Sequence, residues 1–160
     1  MSRLAGLELS HGALVSRLVI GALASVMVFF VYYYLPASLV AFASRFIPAN
    51  ALAAADKVLP SLINPAILML GLLLTLLVFL NVVLGGSKVH GLIVILIGAC
   101  VFAYTILIFQ GGTISLVLPR ELLQGLGIDL QINLTNLMLV FLACPVLTVI
   151  KGVLLTLRGG

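Results

Sequence analysis

Charged side chains are missing from four long stretches of the chain, between Arg17 and Arg45, Lys57 and Lys88, Lys88 and Arg120, and Asp129 and Lys151. Each interval holds the roughly 20 apolar residues that a helix needs to cross a hydrocarbon core about 30 Å thick. These runs do not alternate apolar with polar residues, as the strands of a membrane barrel would. In lipid the backbone groups of each run must then be satisfied within the run, which only a helix achieves. The pattern predicts helices over Ala13–Leu35, Pro65–Leu84, Val89–Phe109 and Leu134–Leu155. The expected fold class is an all-α membrane protein, a single four-helix transmembrane domain over residues 1–160.

The connections carry their own pattern. Pro36 to Ile63 is the longest and remains apolar, with Leu39, Val40, Phe42, Phe46 and Ile47 suited to a membrane surface. Pro48 breaks that segment, and Asn50 is placed to cap a short helix over Ala51–Leu59. Gly85-Gly86-Ser87-Lys88 reads as a tight turn, which makes helices two and three neighbours. Pro119 to Gly125 reads as another short interfacial helix, with proline at its start and glycine at its end. Gln110-Gly111-Gly112-Thr113 ends or breaks the third helix, and Pro145 should kink the fourth.

The two halves of the chain share a pattern. His11-Gly12 and His90-Gly91 each open a helix, Gly21-Ala22 matches Gly98-Ala99, and Ser38-Leu39-Val40 matches Ser115-Leu116-Val117. Ile63-Asn64 and Leu68-Met69-Leu70 then match Ile132-Asn133 and Leu137-Met138-Leu139 at a second offset. Tandem duplication of a two-helix hairpin, with repeats over 10–86 and 89–160, accounts for these matches, as does chance alignment of leucine-rich runs.

Composition agrees with lipid as the solvent: 64 % of the residues are hydrophobic and 8 % charged, against about 25 % charged in soluble domains. The net charge of +4 is spread over single basic residues, without the concentrated basic face that nucleic acid requires. The side with the N-terminus, the Gly85–Lys88 turn and the C-terminus holds Arg3, Arg17, Lys88, Lys151 and Arg158, whereas Arg45, Lys57 and Arg120 fall on the other. Five against three predicts a multi-pass protein of the cell membrane with both termini in the cytoplasm. Tyr32, Tyr33 and Tyr34 would then sit at the outer interface. The uncharged run from Leu18 to Ser44 exceeds the roughly 7–15 apolar residues of a secretory signal, so the first helix is expected to be retained. Cys100 and Cys144 lie singly in apolar runs and read as packing residues.

Candidate chemistry is sparse. Arg17 and Lys151 lie close enough to a membrane surface to extend toward it, and no charged residue sits near a midplane. In length, helix number and candidate hairpin duplication the chain resembles the proteolipid subunit of rotary ATPases. That family requires a mid-helix carboxylate, and here Asp56, Glu121 and Asp129 fall in the connections. Small multidrug exporters need a glutamate in their first helix, and Leu18–Leu35 contains none. A Ser-His-Asp relay is excluded because His11 and His90 belong to one side, and those three acids to the other, of a layer about 30 Å thick. Glu8 shares a side with His11, as a local pair.

Three sets of residues remain. His11 and His90 at equivalent helix ends have the donor chemistry to ligate a haem iron, or are plain interfacial histidines. Gly21 and Ser25, and Ala99 and Ala103, are small pairs suited to close helix approach. Thr75, Asn81, Tyr104, Thr105, Gln110 and Thr148 are able to hydrogen-bond between helices. Asn81, Thr105, Gln110, Thr113 and Thr148 would line any path for an uncharged or weakly polar solute. The leading expectation is a non-catalytic subunit without a cofactor, partnered by lipid and by other membrane subunits or further copies of itself, and not by nucleic acid. A solute channel or transporter, and a haem-bearing anchor of a redox complex, are the alternatives.

Overall fold

The computed structural model describes residues 2–4, 7–9, 11–38, 65–87, 89–118 and 128–158. Strands β1 (Ser2–Leu4) and β2 (Leu7–Leu9) pair antiparallel, with Arg3 opposite Glu8. Helix α1 (His11–Phe29) widens into a π-helical turn over Phe30–Tyr34 and continues helically to Ser38. Helices α2 (Pro65–Val83) and α3 (His90–Ile108) form a hairpin. A 3-10 turn, Gln110–Gly112, leads to β3 (Thr113–Leu118), which pairs antiparallel with β4 (Ile128–Asn133) ahead of α4 (Thr135–Leu157).

All four helices are long and apolar enough to span a bilayer, so the chain is an all-α, multi-pass membrane protein. The 19 residues of α2 and of α3 each rise about 28 Å, close to the hydrocarbon thickness. The first span covers 27 residues, Gly12–Ser38, and at about 40 Å it must tilt or extend into the interface.

Two elements differ from the sequence pattern. First, Pro36 does not end helix one. The chain stays helical to Ser38, with the π turn just before the proline and the Tyr104 hydroxyl donating to Tyr32 O within that turn. Second, the third connection contains an antiparallel ribbon. Its register places Ile114, Leu116 and Leu118 opposite Ile132, Leu130 and Ile128, with Thr113, Ser115 and Val117 opposite Asn133, Gln131 and Asp129. That period of two is a strand signal in residues too few to cross a membrane. Helix α4 is continuous from Thr135 to Leu157 with Pro145 inside it. The interfacial helices expected at Ala51–Leu59 and Pro119–Gly125 lie outside the described residues, as does the apolar segment from Leu39 to Ile47.

Each helix packs on its neighbour in the chain: α1 on α2, α2 on α3 and, most extensively, α3 on α4. Among the described residues no comparable contact joins α1 to α4, so the helices form an open row. The buried centre is Ile67, Leu74 and Tyr104, with Val28, Tyr32, Ile97 and Val101 around it. Lipid is as apolar as these side chains, so close approach of backbones has to supply much of the cohesion. Gly71 lies against the Tyr32 carbonyl, where a Cβ would stand 2.9 Å from the carbonyl carbon. Along the α3–α4 seam a Cβ on Gly98 would meet Pro145 O at 3.0 Å, and one on Gly152 would meet Ile95 N at 2.7 Å. Gly91 would likewise collide with the Thr156 backbone at 2.7 Å. The halves of the sequence pattern do not correspond throughout, since Ser38 is helical and Ser115 lies in β3.

Hydroxyls in the spans mostly turn back on their own helix. Ser25 donates to Gly21 O, Thr75 to Gly71 O, Thr105 to Val101 O, Thr148 to Cys144 O and Thr156 to Gly152 O, all at 2.7–2.9 Å. The carbonyl four residues back is always in reach, and a hydroxyl in lipid has no water to compete for it. Thr75, Thr105 and Thr148 therefore do not bridge helices; Tyr104 does, to Tyr32 O at 3.1 Å.

Candidate functional site

Polar groups gather at the end of the row where α2 turns into α3. Leu84 N still bonds Leu80 O at 2.8 Å, after which Gly86, at φ 82°, takes the left-handed conformation that closes a helix. Ser87 N then donates to Leu84 O and His90 N to Ser87 O, both at 3.0 Å, which starts α3. From α1, the half-buried Arg17 donates through Nη1 to the carbonyl of Gly85. A guanidinium suits this place: the last carbonyls of α2 have no intrahelical donor and carry the negative end of the helix dipole.

Inside the turn three side-chain atoms are buried and make no hydrogen bond among the described residues: Asn81 Oδ1, Ser87 Oγ and His90 Nδ1. Ser87 is 2 % exposed. Helix periodicity accounts for the burial of two of them. Asn81 follows Leu74 by seven residues on α2, and His90 precedes Ile97 by seven on α3, and residues seven apart return to nearly the same helix face. Leu74 and Ile97 pack in the central cluster, so Asn81 and His90 continue the two packed stripes toward the turn, where Ser87 sits between the helices. Gly85, Ser87 and His90 come from one short segment, and Arg17 is held to it from α1.

No family model, curated protein or solved structure matches the chain. The residues alone therefore carry the functional reading.

His11 opens α1 and His90 opens α3, and both stand at this polar end. The residues of the candidate solute path are spread from one end of the spans to the other. Asn81 belongs to the polar end, while Gln110 and Thr113 follow α3 at the other, about 28 Å away along the helix. Thr105 is buried and Thr148 half-buried, each bonded to its own backbone. Gln110 and Thr113 are exposed at a kink where Gln110 (φ 47°), Gly111 (φ 73°) and Gly112 (φ 100°) are all left-handed. Gly112 O accepts from Leu134 N at 2.7 Å, and Asn133 Oδ1 accepts from Thr135 N at 3.0 Å, which starts α4.

Of the small residues, Gly21 is buried with a Cβ position 3.3 Å from Phe79 on α2, and Ser25 is half-buried one turn on. Ala99 faces outward and Ala103 is half-buried. The close approach of α3 to α4 runs through Gly91, Gly98 and Gly152 instead. The sequence signal for α3 was the spacing of Gly91 and Gly98, two turns apart on one face, where the pattern of small pairs four apart drew attention to Ala99. Ser87, read only as a turn residue, is the polar group that most needs a partner.

Proposed function

We propose that the protein is a small non-catalytic integral membrane subunit, packing by its helix faces into a larger membrane complex or a homo-oligomer. The observation that carries this reading is the open row. α1 packs mainly on α2 and touches α3 through Tyr32 and Tyr104, α4 packs on α3, and among the described residues α1 and α4 make no comparable contact with each other. Their remaining faces are apolar and exposed, with Leu23, Val26 and Met27 on α1 and Val140, Leu147 and Leu154 on α4. Helices of another subunit suit these faces as well as lipid does, and specific packing would favour the subunit. Outside the four helices, the described residues form only two short strand pairs and turns.

Both termini are assigned to the cytoplasm of a cell in this proposal. Arg17 and the exposed Lys151 and Arg158 lie at the same end of the row as the α2–α3 turn, in keeping with the excess of basic residues on the inner side. Solubilised in mild detergent and run on a native gel, the protein is expected to migrate with other polypeptides or with copies of itself. A stable lone monomer under those conditions contradicts the proposal.

A further inference from the structure

We propose that the β3–β4 ribbon is a membrane-surface element, lying flat on the leaflet opposite the α2–α3 turn with one face in lipid and the other in water. Cross-strand partners share a face, and neighbours along a strand alternate between faces. The register therefore puts Ile114, Leu116, Leu118, Ile128, Leu130 and Ile132 on one face. Every polar residue of the ribbon, Asp129 and Gln131 among them, falls on the other. Ile132 is 39 % exposed, so the chain's own helices do not cover the aliphatic face there. A two-stranded ribbon alone in water is marginal, and this one needs an apolar surface beneath it.

The ribbon is rooted at the edge of the hydrocarbon. Helix α3 rises about 28 Å over its 19 residues, and the left-handed Gln110, Gly111 and Gly112 follow its end. Gly112 O accepts from Leu134 N at 2.7 Å, which ties the root of β3 to the foot of α4. The helices on either side bring lipid-facing residues up to this root, with Ile108 and Leu137 both exposed. Upright, strands of six residues would reach about 20 Å beyond the hydrocarbon. The headgroup layer is roughly 5–8 Å deep, so Leu118 and Ile128 would then stand in water. Submerged, the ribbon would carry into lipid both Asp129 and the outer backbone edges of a sheet with only two strands. Flat at the boundary, the aliphatic face meets acyl chains while Asp129, Gln131 and both edges keep water.

The chain has no tryptophan, so a single introduced one reports its own surroundings. The full chain carrying Leu116→Trp or Ser115→Trp is reconstituted into dioleoyl phosphatidylcholine vesicles. Emission is read with lipid brominated in the upper acyl chain, and with iodide on both sides of the membrane. Leu116→Trp is expected to emit at shorter wavelength, to be quenched by brominated lipid and to resist iodide. Ser115→Trp, one residue away on the other face, is expected to emit at longer wavelength and to be quenched mainly by iodide. Leu130→Trp and Gln131→Trp, at the partner positions on β4, repeat the contrast if a β3 variant fails to fold. Equal iodide quenching of the two faces places the ribbon in water and overturns the proposal. So does equal quenching by brominated lipid, which submerges it. A short-wavelength Leu116→Trp that brominated lipid does not reach also overturns it, because protein then covers the face.

Discussion

The Tyr104 hydroxyl on α3 donates a 3.1 Å hydrogen bond to the backbone carbonyl of Tyr32, 72 residues earlier in the chain. In an α-helix that carbonyl would accept from the N–H of residue 36, which here is a proline without one. The two rings meet edge to face with centroids 4.9 Å apart, and Gly71 on α2 lets a third backbone close over the same carbonyl. A proline in a membrane helix, a tyrosine on its neighbour and a glycine on the helix between are thus one arrangement.

Tyr104→Phe removes this hydrogen bond between α3 and the turn of α1. It is expected to destabilise the protein by about 1 kcal/mol, the scale of hydrogen bonds between membrane helices. Adding Pro36→Ala restores an N–H at residue 36, so the double variant should lose less than the sum of the two single changes. Unfolding in mixed micelles measures the coupling, and strict additivity contradicts the assignment.

The α3–α4 seam depends on glycines. Gly98→Val would drive a side chain into Pro145 O and the Val149 side chain, and a cost of about 1–3 kcal/mol is expected from overpacking. Ala99→Val, on the exposed face of the same helix, should stay within about 0.5 kcal/mol of the parent. Unfolding measurements on both variants check the contrast; equal effects would show that the seam has been misplaced.

Arg17 joins α1 to the end of α2 through Gly85. Arg17→Leu frees that carbonyl, and hydrogen exchange at the amides of residues 84–87 should quicken while that of α3 near Tyr104 is unchanged. The expected loss of stability is about 1–2 kcal/mol, that of a charged hydrogen bond at a half-buried site. Unaltered exchange in the turn would count against the contact.

The spans were legible because lipid excludes charge. The uncharged runs place α2 and α3 to within about one residue and α4 to within about two. What they could not show is which face of each helix meets a neighbour. Helices apolar all round carry no stripe to read, so the small pair Ala99 and Ala103 stands out in the sequence where Gly98 makes the contact. The threonines were ambiguous for a different reason: a hydroxyl has an acceptor four residues back in any helix, and nothing in the residue type says whether it will take it. Hydropathy also hid the β3–β4 ribbon, whose alternation is short and lies beside a much longer apolar run. The polar end was half visible. Arg17 and His90 stood out by charge and chemistry, whereas the burial of Ser87 depends on how the turn closes between two helices.

Side-by-side labelling of single cysteines at Ser16, Ala37, Val89, Asn133 and Arg158, introduced after Cys100 and Cys144 are replaced by alanine, tests the crossings most directly: Ser16→Cys, near the start of α1, should behave as Val89→Cys does. With a membrane-impermeant thiol reagent on intact cells, Ala37→Cys and Asn133→Cys should react, and Val89→Cys and Arg158→Cys should react only once the membrane is opened. Two successive positions labelled from the same side would mean that the helix or pair of elements between them does not cross, and the four-span topology would fall.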